Sequence, residues 1–126
     1  MKRFWFGVAL LAALLAAGAG LSFGIPALHE QLAKQLDDAC TAMEQEDWET
    51  ATALAASAKA KWERCRHFVA SFVDHEPLEQ LDGLFSELEV YRQRYMSADY
   101  AAVCSHLAHI SRAIGESHAL KWWNLL

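Results

Sequence analysis

The feature that most constrains this chain is a stretch without a single charge, FWFGVALLAALLAAGAGLSFGI, at residues 4–25. As a helix rising 1.5 Å per residue it reaches about 33 Å, enough to cross a hydrocarbon layer of roughly 30 Å. Lys2 and Arg3 precede it and Pro26 follows. Two readings stand. One is an uncleaved signal anchor, favoured by the length of the run and its aromatic start. The other is a signal peptide cut after Ala17-Gly18-Ala19, which meets the small-residue rule and would release a secreted protein. In both, the two N-terminal cations hold that end in the cytoplasm, and the remainder is expected outside.

Of the 11 basic residues, Lys2 and Arg3 belong to the leader, so nine basic residues face all 16 acidic ones in the remainder. Nucleic acid is therefore not expected as a partner, because neutralising phosphates takes a basic surface.

Beyond Pro26 the sequence has one further proline, Pro77, and two glycines, Gly83 and Gly115. Alanine, leucine and glutamate dominate, a composition that favours helices and offers little hairpin-turn chemistry. Apolar spacing then predicts four helical stretches. The first is marked by Leu28, Leu32, Leu36, Ala39 or Cys40, and Met43, ending near Glu46. The second carries Trp48, Ala51, Ala55, Ala58, Trp62, Cys65, Val69 and Phe72 in steps of three and four, the spacing of a packed seam. The third shows Leu78, Leu81, Leu84 or Phe85, Leu88, Tyr91 and Tyr95, and the fourth Tyr100, Val103, Leu107, Ile110 and Ile114. Asp47-Trp48 and Asp99-Tyr100 look like matching helix starts, an aspartate cap followed by an aromatic residue. The expected fold is all-α: a transmembrane helix at 1–25, then an extracytoplasmic domain at 26–126. Its two antiparallel hairpins, about 27–73 and 76–123, would form a compact four-helix unit.

The run Asp74-His75-Glu76-Pro77 concentrates polar chemistry. Proline is tolerated in a helix's first turn and is costly further in, so a helix is expected to start here, with Asp74 or Glu76 complementing its positive end. His75 could bond across to the fourth helix. The functional counterpart is a nitrogen and oxygen metal site in which His75 and Glu76 are joined by His106 and His109, three apart on the fourth helix. The helix-junction reading of Asp74, His75, Glu76, Pro77 and His109 is the plainer one. No cofactor is expected. The zinc-protease, di-iron, nucleophile-elbow, phosphate-loop and Cys-x-x-Cys motifs do not occur, and the chain does not read as an enzyme.

Three cysteines outside a membrane invite a disulfide. Cys40 and Cys65 would differ in height by roughly 16 Å in an antiparallel hairpin, beyond the roughly 7 Å reach of a bridge. Cys104 is the mate within reach of Cys40, while burial as small apolar residues is the plainer reading of all three. Lys59, Lys61, Arg64 and Arg66 suit a helix C-terminus. If the second and fourth helices return toward the membrane, Arg64, Arg66, Trp122 and Trp123 arrive at its surface, where tryptophan is favoured. The same tryptophans could instead close the base of the core.

The apolar leader, Trp62, Asp74-His75-Glu76 followed by Leu81-Asp82, Leu88 with Tyr91, His109-Ile110, Glu116 and the ending Asn124-Leu125-Leu126 together resemble a bacterial family, domain of unknown function 4363. The resemblance implies a small membrane-anchored helical protein. It brings no activity, cofactor or catalytic residue, and it ties Asp74-His75-Glu76 and His109 into one feature. The function expected is a non-enzymatic interaction module of the cell envelope. Its partner would be the membrane and another membrane or envelope protein, with a second copy of the chain also open. The alternative is a metal or small-ligand binder using the His75 and His109 region.

Overall fold

The computed structural model describes residues 1–123, and side chains as far as Ser117. Four helices make up the described chain: α1 (Lys2–Glu44), α2 (Trp48–Ala70), α3 (His75–Gln93) and α4 (Ser97–Trp123). No strand occurs among the described residues. The apolar run and the first amphipathic stretch, expected as separate helices, are one 43-residue helix passing through Pro26. A proline inside a helix removes one hydrogen bond and crowds the preceding turn. Here Pro26 lies against α4: a Cβ placed on Gly115 would be 3.4 Å from its Cα. Ile25 and His29 on either side of it are both buried. Tertiary packing thus holds the helix together where the backbone alone would favour a break.

α1 packs most extensively on α4 and next on α2; α3 packs on α4, and α2 touches α3 only lightly. The α1–α4 seam follows from residue size. A Cβ on Gly115 would come within 3.3 Å of the His29 Cβ, so glycine lets the two helices approach closely there. From that contact, steps of four and three along α1 give His29, Ala33, Leu36, Cys40 and Met43. The same steps back along α4 give Gly115, Ser111, Ala108, Cys104 and Ala101. Cys40 is half-buried and the other nine are buried, as a continuous 3–4 seam requires. On its flank, Arg112 of α4 reaches Asp37 at 2.7 Å and Glu30 at 3.4 Å on α1.

The α2 stripe is buried at Ala51, Ala55, Ala58, Trp62 and Val69, half-buried at Trp48 and Cys65, and exposed at Phe72, where the helix has already ended. The α3 stripe fails in the same way at Tyr95, which is 81% exposed. Tyr95 and Glu46 are the described non-glycine residues with positive φ, 53° and 56°. Each lies just past a helix end. Glu46 N–H donates to the Met43 carbonyl and Asp47 N–H to Ala42, while Tyr95 donates to Arg92 and Met96 to Tyr91. These paired bonds close both helices with the same left-handed turn, a role glycine usually fills. The two helix starts do not match as expected. Asp47 caps α2, its carboxylate accepting from Thr50 N–H at 3.2 Å. Asp99 lies inside the first turn of α4, which already begins at Ser97.

Candidate functional site

The beginning of α3 packs beside the later part of α4, and between them lies a cleft of about 350 Å³. Phe72, Val73, Asp74, Pro77 and Gln80 line one side; His109, Ile110, Ala113, Ile114 and Ser117 line the other. Local sequence explains its mouth. α2 ends at Ala70, a short turn exposes Phe72, and α3 starts at His75 with Asp74 as its N-cap residue. The Asp74 side chain makes no capping bond to the helix. A capping carboxylate usually accepts from the second or third N–H of the helix, and the third position here is Pro77, which has none. Asp74 instead helps to line the cleft.

Three members of the expected junction, Asp74, Pro77 and His109, thus share one cleft, while the exposed His75 and Glu76 lie outside its lining. His106 is also exposed and does not line it. Among the described residues, no three His, Cys, Asp or Glu side chains converge as a metal-ligand set. A carboxylate, an imidazole, an amide and a hydroxyl spaced around a mainly apolar wall have the composition of a small-molecule cleft.

The second polar feature joins α2 to α3. The Trp62 indole Nε1–H donates to Asp82 Oδ1 at 2.8 Å, and Arg66 Nε donates to Asp82 Oδ2 at 2.6 Å. Trp62 is 1% exposed, so its N–H needs an internal acceptor. Asp82 supplies it, and Arg66 balances the charge. The sequence reading gave Asp82 no role. The available signal was a tryptophan in an apolar seam together with a carboxylate directly after the buried Leu81. Arg66 is therefore engaged within the fold, whereas Arg64 is exposed and donates to the Ala60 carbonyl of its own helix. The side chains of Trp122 and Trp123 lie outside the described residues.

The structure holds all three cysteines in the reduced form: Cys104 is buried, and Cys40 and Cys65 are half-buried. Burial raises the Cys65 thiol above its ordinary range, and its Sγ donates to the Trp62 carbonyl at 3.4 Å. Such a thiol is a poor nucleophile.

No curated protein and no solved structure matches the chain. A family model does match, over residues 23–125, from the end of the apolar run across the whole bundle. With most of its length covered, the chain belongs to the family described as domain of unknown function (DUF4363).

Proposed function

We propose that this is a single-pass bacterial membrane protein, with its N-terminus in the cytoplasm, whose two helical hairpins stand on the outer face of the membrane and act as a non-enzymatic interaction module. The observation that carries the reading is the first part of α1. It is long and apolar enough to cross a membrane, and almost nothing in the protein covers it. A soluble domain would leave such a face bare to water, at a high cost in hydration. Lipid covers it at no such cost. The preceding Lys2 and Arg3 set the orientation by charge.

The lower end of the bundle supports the same placement. The His29 and Trp62 rings lie 6.1 Å apart, which sets their level on neighbouring helices. Phe68, six residues further along α2, is then about 9 Å nearer the membrane, level with Phe23. Phe68 and Phe72 contact each other at 5.3 Å and remain 51% and 44% exposed. An exposed aromatic pair at that height suits the lipid interface. Arg64, Trp122 and Trp123 belong to the same end of the chain's up-and-down path. Because α1 continues through Pro26, the bundle has no flexible stalk and meets any partner at a fixed height and rotation.

The partner is a membrane or envelope protein reached at this lower end. Crosslinking in intact cells, followed by purification from membranes, tests the proposal with wild type and a Trp122→Ala/Trp123→Ala variant. A specific partner captured by the wild type and lost in the variant is expected. Equal capture by both would remove the lower end as the contact face. A reporter fused after Leu126 that is active only in the cytoplasm would overturn the orientation.

The cleft beside His109 favours a second reading, a small-ligand binder. Its test is a thermal-shift screen with zinc and small organic acids on the full chain in detergent. A gain in melting temperature that disappears in His109→Ala supports it, and no gain with any probe ends it.

A further inference from the structure

We propose that Cys40 and Cys104 form a disulfide that ties α1 to α4. The argument begins at the close contact between the same two helices, where a Cβ on Gly115 would lie 3.3 Å from the His29 Cβ. Eleven residues on from His29 is Cys40, and eleven back from Gly115 is Cys104. Eleven residues are close to three full turns at 3.6 per turn, so each step returns to nearly the same face of its helix, about 16 Å higher. The two cysteines therefore occupy one rung of the seam, three turns above a rung where a Cβ added to Gly115 would stand 3.3 Å from that of His29, close to the roughly 3.5–4.5 Å that a disulfide spans. Cys104 is fully buried and Cys40 half-buried; the Cys40 Sγ lies 3.9 Å from Glu44 Oε1 on its own helix, so closing the bridge turns this side chain from that carboxylate onto the seam. Burial pushes the Cys104 thiol up to about 12, and Cys40 across the seam adds to the shift, as a neighbour on the same rung would. Cys65, on α2, has no part in this rung.

The chemistry assigns different roles to the two thiols. Burial, then Glu44 and Asp37, raise the Cys40 thiol above its ordinary range, so closure is slow near neutral pH and faster at alkaline pH; as the more accessible of the two, Cys40 reacts first, and its thiolate attacks a sulfur of an external disulfide. A mixed disulfide forms on Cys40, and one external thiolate leaves. Cys104 then loses its proton and attacks the Cys40 sulfur, expelling the second external thiolate. Two protein thiols have given up two electrons and two protons, and one external disulfide has become two thiols. In the cell the oxidant is the disulfide of an extracytoplasmic thiol oxidoreductase. The cellular half of the inference rests on the exterior placement proposed above; the geometric half does not.

Two arms separate these halves. In the first, the purified, reduced full-length chain in detergent is equilibrated with oxidised and reduced glutathione, trapped with N-ethylmaleimide and mapped as peptides without reductant. A Cys40–Cys104 linked peptide is expected, with Cys65 alone alkylated. Reduction should then lower the melting temperature by roughly 10 °C or more, as for a bridge closing a long loop. Three alkylated thiols per chain, or Cys40 recovered only as its glutathione adduct, would overturn the pair. Cys40→Ser, at a half-exposed position, serves as the control that still folds, and its melting temperature should ignore reductant. In the second arm, cells are quenched in acid before trapping. The linked peptide from cells supports both the pair and the exterior placement. Free thiols from cells, alongside closure with glutathione, would overturn the placement while leaving the pair established.

Discussion

Asp82 shows how one residue decides whether two helices stay in contact. α2 and α3 touch lightly, so the bonds from Trp62 and Arg66 to this carboxylate are a large share of what joins them. Asp82→Ala leaves a buried indole N–H without its acceptor, which typically costs about 1–3 kcal/mol. Asp82→Asn keeps an oxygen for Trp62 and loses the ion pair, so a smaller loss is expected. Urea unfolding should rank wild type above Asn above Ala; equal midpoints for the two variants would assign the effect to charge alone. At Glu89 the outcome is different because the group is exposed. Hydrogen bonds from Arg92, at 2.6 and 2.9 Å, and then from Gln93 hold this carboxyl at about 2, below its ordinary 4.5. The sign follows: its contribution is complete above the ordinary carboxylate range and is lost as pH falls through about 2. In Arg92→Ala, an NMR titration should return Glu89 toward 4.5, with little change in global stability, since exposed pairs contribute little.

At the scale of the helix, most of the fold was legible and the ends were not. Spacing in steps of three and four marks the buried stripe of each helix because burial, not local preference, selects those positions. The stripe stops being a guide where a helix stops: Phe72 and Tyr95 continue the pattern and are exposed. Pro26 misled in the opposite direction. Local chemistry argues for a boundary there, and only the approach of α4 at Gly115, invisible in a one-dimensional pattern, explains the unbroken α1. The candidate site was legible in part for the same reason. The sequence groups Asp74, His75, Glu76, Pro77 and His109 at one junction, and of these Asp74, Pro77 and His109 line the cleft. His75, Glu76 and His106 lie outside its lining, because which residues of a helix face its neighbour depends on the docking angle, which the sequence pattern does not carry. The two interior glycines beyond Pro26 give a test at this scale. A Cβ on Gly83 would meet nothing, so Gly83→Ala should stabilise by about 0.5–1 kcal/mol through helix propensity. Gly115 sits against His29 and Pro26, so Gly115→Leu should lose about 1–3 kcal/mol through overpacking. Melting curves of the two variants should move in opposite directions; a shared direction would mean the α1–α4 approach is looser than the contact at Gly115 indicates.

For the whole molecule, the central question is whether the first half of α1 belongs to the fold or only carries it. Residues 2–24 contribute no buried side chain, and burial begins at Ile25, which is 2% exposed. Removing that segment therefore takes almost nothing from the core. It does shorten a helix whose new end would lie beside the Pro26–Gly115 contact, and the hydrogen bonds around Pro26 would fray more easily. A fragment of residues 23–126 keeps the buried Ile25 and the turn preceding Pro26. It should be soluble, as helical as the full bundle, and within a few degrees of the melting temperature of the full chain in detergent. Circular dichroism and light scattering check both points. A fragment that unfolds would mean the apolar half is structurally required, and the separation of apolar segment from bundle would fail. A fragment that folds but self-associates through Phe68 and Phe72 would instead indicate that the lower end needs a lipid or protein surface to cover it. Phe68→Ser/Phe72→Ser should then restore the monomer without altering the helical signal, because neither ring belongs to the buried core.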